Sequence, residues 1–145
     1  MKKHLYFFLL AGGIWACTST PKQPTETPPA YQECYRAVVG QDTAQLKFNI
    51  VDGQVDGILS YDFFEKDQSK GRVSGAWRND TLIWDFNFYA EGQESKSQVA
   101  LLRKGDQLLE GYGEVAESGN SLRFADPGKL IFGDSFVFVK VDCGE

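Results

Sequence analysis

Histidine is nearly missing from this chain: its single instance, His4, falls among the first sixteen residues. Everything beyond that point lacks the base of Ser-His and Cys-His nucleophile systems and the imidazole of the usual His-containing zinc sites. Neither G-x-S-x-G, S-x-x-K, a P-loop nor C-x-x-C occurs. Asp52-Gly53-Gln54-Val55-Asp56-Gly57 has calcium-type residues without EF-hand spacing, and it reads as a hairpin turn. No metal, cofactor or catalytic set is therefore expected. Two carboxylate neighbourhoods, Asp62 with Glu65 and Glu110 with Glu114, are of the type that performs acid-base work in sugar cleavage. Such spacing recurs along the strands of any acidic β protein, so a non-enzymatic protein is expected.

A basic stripe is also missing. Setting aside Lys2 and Lys3 leaves 13 Lys and Arg against 20 Asp and Glu, a net charge of −7 beyond residue 16. Such a body cannot neutralise phosphates, which argues against nucleic acid as a partner. Helical periodicity is lacking too: no window after the leader repeats apolar residues at i, i+3, i+4 and i+7.

What is present begins with MKKHLYFFLLAGGIWAC: two lysines, an apolar run of eleven residues from Leu5 to Trp15, then Ala16 and Cys17. A spanning helix needs about 20 apolar residues, so this run reads as a secretory signal over residues 1–16. Ile14, Ala16 and Cys17 resemble the lipobox of bacterial lipoproteins, with Trp15 where a small residue is usual. The resemblance implies cleavage before Cys17, a diacylglycerol on its sulfur and an acyl chain on its amine. The alternative is a secreted form cut nearby with Cys17 free. Several acyl chains hold a protein far more firmly than one. No Asp follows Cys17, which in the enterobacterial pattern implies an outer-membrane destination in the cell envelope. Residues 17–30, ending TSTPKQPTETPPA, contain no large apolar side chain and read as a disordered, extended tether.

Residues 31–145 read as one all-β domain. Turn-forming stretches at Asp52-Gly53, 66–69, Asn79-Asp80, Glu91-Gly92, Gly105-Asp106 and Gly119-Asn120 recur about every 12 to 15 residues. Between them Ala44, Leu46, Phe48 and Ile50 alternate with polar residues, as do Leu82, Trp84, Phe86 and Phe88, the pattern of strands with one buried face. Strands are expected near 33–39, 43–51, 55–65, 71–78, 81–90, 95–104, 107–116 and 136–142, with 121–132 either one broken strand or two short ones. Regular hairpins imply an up-and-down antiparallel barrel, lipocalin-like, of eight to ten strands. Cys34 starts the first strand and Cys143 ends the last, and in an oxidising compartment they are expected to pair. That pairing requires an even strand count, because only then do the first and last strands meet antiparallel.

Inside such a barrel Tyr61, Phe63, Trp77, Trp84, Phe86 and Phe88 point inward. They either fill a packed core, the favoured reading for a domain this small, or line a ligand pocket. The segments Glu65-Lys66-Asp67, Asn79-Asp80-Thr81-Leu82, Glu110-Gly111-Tyr112-Gly113 and Asp142-Cys143, with Cys34, resemble the body of small lipid-anchored lipoproteins of Gram-negative bacteria. A weaker resemblance, through Ser118-Gly119-Asn120-Ser121, is to membrane-bound inhibitors of c-type lysozyme. Two functions follow as expectations: an envelope binding or structural module for a small apolar ligand or a protein partner, or an inhibitor of an envelope-directed hydrolase.

Overall fold

The computed structural model describes residues 32–66, 68–90 and 92–144, so the leader, Cys17 and the tether lie outside the described residues. The alternating segments form ten strands: β1 (Glu33–Val39), β2 (Asp42–Val51), β3 (Gln54–Asp62), β4 (Ser69–Arg78), β5 (Thr81–Ala90), β6 (Gln93–Lys104), β7 (Gln107–Tyr112), β8 (Val115–Ser118), β9 (Ser121–Phe124) and β10 (Ile131–Val141). Eight of them close a ring in the order β1-β2-β3-β4-β5-β6-β7-β10, every neighbour antiparallel, with β10 returning to β1. Closure removes the free edges that an open meander would expose. The even count is the one the cysteine pairing requires, and Cys34 and Cys143 are bonded across the β1–β10 seam with α-carbons 5.2 Å apart.

The β8–β9 hairpin stands outside the ring. Its second strand pairs parallel to β6 at Lys96 with Ser121 and Ser97 with Leu122, lying against β6 above the point where β7 stops. Three sequence-based boundaries are corrected. The strand expected over 55–65 ends at Asp62, and that over 107–116 divides into β7 and β8. Residues 121–132 hold β9, a single 3-10 turn at Pro127–Lys129 and the start of β10, which begins five residues before the expected 136. Asp126 stops β9 by accepting a hydrogen bond from the Gly128 N–H at 2.9 Å, so Asp126-Pro127-Gly128 reverses the chain.

Antiparallel connectivity gives the barrel two different ends. The turns at 52–53, 79–80 and 105–106 gather with the start of β1 and the end of β10 at one end. The β1–β2 turn, the β3–β4 loop, the β5–β6 turn and the β8–β9 excursion gather at the other. The first end is closed by packing. Phe48, Leu82, Trp84, Leu101, Leu108 and Phe138 are at most 1% exposed, with Tyr35 stacked on Phe48 and Phe48 edge-on to Trp84. Inward glycines make room for the rings: Gly75 is the cross-strand partner of Trp84, and a Cβ on it would stand 2.7 Å from the Trp84 Cβ. Large aromatics fit inside so narrow a ring only where a facing strand gives up its side chain.

Candidate functional site

At the second end the packing stops short. A cleft of about 420 Å³ opens there, walled by Tyr61 of β3 and Phe63 just beyond it, Phe86 and Phe88 of β5, and Phe136 of β10. The walls are ordered by ring contacts: Phe86 stacks on Phe88 at 4.7 Å, Tyr61 on Phe63 at 5.7 Å, and Phe136 tilts against Tyr61 at 5.5 Å. The volume falls within the range of small-molecule sites, about 300–1,000 Å³. Several of the remaining positions are small and polar: Ser69, Ser97 and Ser135 line the cleft, with Val99 beside them. The small size of the serines leaves space.

Of the residues lining the cleft, one is charged, Glu110 of β7. Its Oε1 accepts a hydrogen bond from the Tyr61 hydroxyl at 2.5 Å, its Oε2 accepts one from the Ser135 hydroxyl at 3.1 Å, and the backbone N–H of Phe136 donates a third. The last two donors exist because β10 is irregular. Phe132 pairs with Gly111 and Val137 with Leu109, so four residues of β10 face Glu110 alone. This bulge turns on Gly133, whose φ of 103° suits glycine, and it aims Ser135 and Phe136 at the carboxylate. The Phe132 ring covers Gly111 from outside, leaving no room there for a Cβ.

Burial raises the Glu110 carboxyl above the ordinary glutamate range, against the opposite pull of its three hydrogen bonds. Burial first, then the charge and hydrogen bond of Glu110, hold the Tyr61 hydroxyl well above the tyrosine range. Tyr61 is therefore a fixed donor.

The aromatic set named from sequence is divided by the structure. Tyr61, Phe63, Phe86 and Phe88 line the cleft, whereas Trp84 lies in the packed interior and Trp77 sits at the opposite end, partly buried beneath the Arg103 guanidinium 4.1 Å above its ring. The Nε1 atoms of Trp77 and Trp84 have no hydrogen-bond partner among the described residues. Of the four carboxylates named from spacing, Asp62, Glu65 and Glu114 are exposed, and Glu110 alone lines the cleft. Among the described residues, no group of three or more His, Cys, Asp or Glu is placed to hold a metal ion.

The loop that resembled an inhibitor motif is tied down. Asn120 donates its side-chain amide to the Glu94 carbonyl at 2.9 Å and accepts from the Lys96 N–H at 3.0 Å, while the Phe124 N–H donates to the Gln98 side chain at 3.0 Å. Ser135 and Phe136 were not among the residues singled out from sequence. Their signal is the run Phe132-Gly133-Asp134-Ser135, turn-type residues interrupting an aromatic alternation. No protein-family model, curated protein or solved structure matches the chain.

Proposed function

We propose that this chain is a non-enzymatic binding module of the cell envelope, anchored through lipid on Cys17 and taking a small, largely apolar ligand into the cleft at the far end of its barrel. The cleft is the observation that carries the reading: aromatic walls, a few convergent polar groups and an interior otherwise closed. The chain enters β1 at the closed end, opposite the mouth, where the Gln32 N–H is held by the Asn49 side chain at 2.9 Å, so the anchor is proposed to join the barrel away from the cleft. An outer-membrane location follows from the leader pattern.

The inhibitor reading has less support, because the Ser118–Ser121 turn is fastened to the barrel wall by Asn120 instead of standing free to enter an enzyme's groove.

Mass spectrometry of the native protein, extracted gently from membranes, tests anchor and cargo together. The expected result is a mature mass beginning at Cys17 with its acyl chains, plus a co-purified small molecule or saturable one-to-one binding of the apolar fluorophore N-phenylnaphthylamine. Cys17→Ser is expected to lose detergent-phase partitioning. A Cys17→Ser protein that still partitions into detergent at the mature mass refutes the anchor, and an unsaturable probe signal refutes the binding module.

A further inference from the structure

The barrel contains two tyrosine–glutamate pairs, one at each end, and they differ in what completes them. At the closed end the Tyr35 hydroxyl donates to Glu33 at 2.6 Å, and the Lys140 ammonium stands 3.7 Å from the same carboxylate and 6.0 Å from the centre of the Tyr35 ring. The positive charge of Arg103 also acts on Tyr35. Carboxylate, aromatic face and cation are thus all supplied by the chain itself. In the cleft the Tyr61 hydroxyl donates to Glu110 in the same way, with more aromatic surface around it, yet no Lys or Arg lines the cleft and no ion pair to Glu110 occurs among the described residues.

A carboxylate in an apolar recess is costly unless a countercharge reaches it. Here three donors from Tyr61, Ser135 and Phe136 orient the group as an acceptor, and a carboxylate offers about four lone-pair sites, so roughly one remains directed at a guest. Phe63, Phe86 and Phe88 line the same cleft as Glu110, and aromatic rings attract cations. We infer that the cleft selects an organic ammonium ion carrying an apolar body, with Glu110 as its counter-ion, the rings as its cage and the ligand in the place that Lys140 holds at the other end. This rests on the cleft being a binding site and adds the charge of what it binds.

The groups facing Glu110 are Tyr61 from β3, and Ser135 and the Phe136 N–H from β10; β4, β5 and β6 present Ser69, Phe86, Phe88, Ser97 and Val99. At the rim Tyr112 of β7 donates to Asp134 of β10 at 3.3 Å. Of the described side chains lining the cleft, Glu110 is the one carboxyl, so cation binding is expected to fail as pH falls through its raised pKa.

Three probes of nearly equal shape test this by calorimetry on the mature protein: phenethylammonium, 2-phenylethanol and 3-phenylpropionate. The expected order is the cation at least about tenfold tighter than the alcohol and the anion weakest, a tenfold difference corresponding to about 1.4 kcal/mol. Glu110→Gln is expected to erase the preference while keeping alcohol binding. Equal binding of cation and alcohol by wild type overturns the charge selection and leaves the binding module standing, whereas no binding of any probe overturns both. If Glu110→Gln does not fold, the wild-type pH profile decides. Cation affinity that falls on acidification while alcohol affinity holds supports the inference, and parallel profiles refute it.

Discussion

Tyr35–Glu33 at the closed end and Tyr61–Glu110 in the cleft use the same hydrogen bond for different ends. The first sits over a filled interior, has Lys140 beside it and borders the Cys34–Cys143 bond, so its polar groups find their partners within the fold. The second sits on a β10 bulge, beside serines where the closed end has leucines, with no cation among the described residues lining its cleft. On the proposed reading, stability and ligand binding fall to opposite halves of the same strands. A rigid, well-packed half can support a site whose own residues are poorly packed, and the contrast can be broken from either side.

The largest effect is expected at the seam. β1 and β10 share only three registered pairs, Cys34 with Val141, Tyr35 with Lys140 and Arg36 with Val139, whereas β5 and β6 share ten. Closing a 109-residue separation contributes about 4–5 kcal/mol in the chain-entropy picture. Cys34→Ser and Cys143→Ser are each expected to lose about that much in urea unfolding, and the double variant little more, because either change breaks the same bond. A double variant losing the sum of both would mean the cysteines act separately.

Next comes the interior. Trp84→Ala is expected to cost about 3–5 kcal/mol, the range for emptying a packed aromatic site, since Trp84 is 1% exposed and braced by Phe48. Phe88→Ala, at the cleft, is expected to cost clearly less and instead to weaken ligand binding. Equal losses of stability from the two would erase the distinction between a packed and an open end.

Alternation made the ring legible in advance: Ala44, Leu46, Phe48 and Leu82, Trp84, Phe86 do face inward, and the turns at 52–53, 79–80, 105–106 and 119–120 fall where their residue types place them. Asp52 at φ 51° and Gly53 at 78° show why that pair makes a tight hairpin. The cysteine pairing was legible from the places of Cys34 and Cys143 at the start of the first strand and the end of the last, and it required the even strand count. The site was not. Glu110 was visible as a carboxylate, but spacing suggested Glu114 as its neighbour, and its real partner, Tyr61, is 49 residues away. Period two also assigns Phe86 and Trp84 to the same face without saying which end of the barrel is filled. That depends on cross-strand sums of side-chain size around the ring, such as Ser69, Ser97 and Ser135 at one level.

A smaller effect separates the two glutamates by pH. Because burial raises the Glu110 pKa in the folded state, this group contributes stability that is fully present below the unfolded glutamate pKa and is lost as pH rises through the folded value. Glu110→Gln is therefore expected to flatten that part of the stability profile and to be no less stable than wild type at neutral pH. Glu33→Gln, which weakens the Lys140 pair, is expected to lose up to about 1 kcal/mol at neutral pH. Chemical denaturation across pH 4 to 8 measures both. A Glu110→Gln protein whose profile still parallels wild type would show that Glu110 carries no such penalty.

The smallest effect tests how the closed end is sealed. Trp77 is only partly buried, its indole N–H lacks an acceptor among the described residues, and the Arg103 guanidinium lies flat enough over it to stand 4.1 Å from the ring centre. The guanidinium acts there as a lid, keeping water from the ring by its planar area as much as by its charge. With Arg103 itself exposed, such a contact contributes about 0.5–1 kcal/mol. Arg103→Ala is expected to lose about that much, and Arg103→Lys to recover only part, because a compact ammonium covers less of the ring. Acrylamide quenching reads the lid independently of stability: Trp84 is shielded, so added quenching in Arg103→Ala reports Trp77. If quenching stays at the wild-type level in both variants, Arg103 does not seal this end, and the packed residues beneath Trp77 close it by themselves.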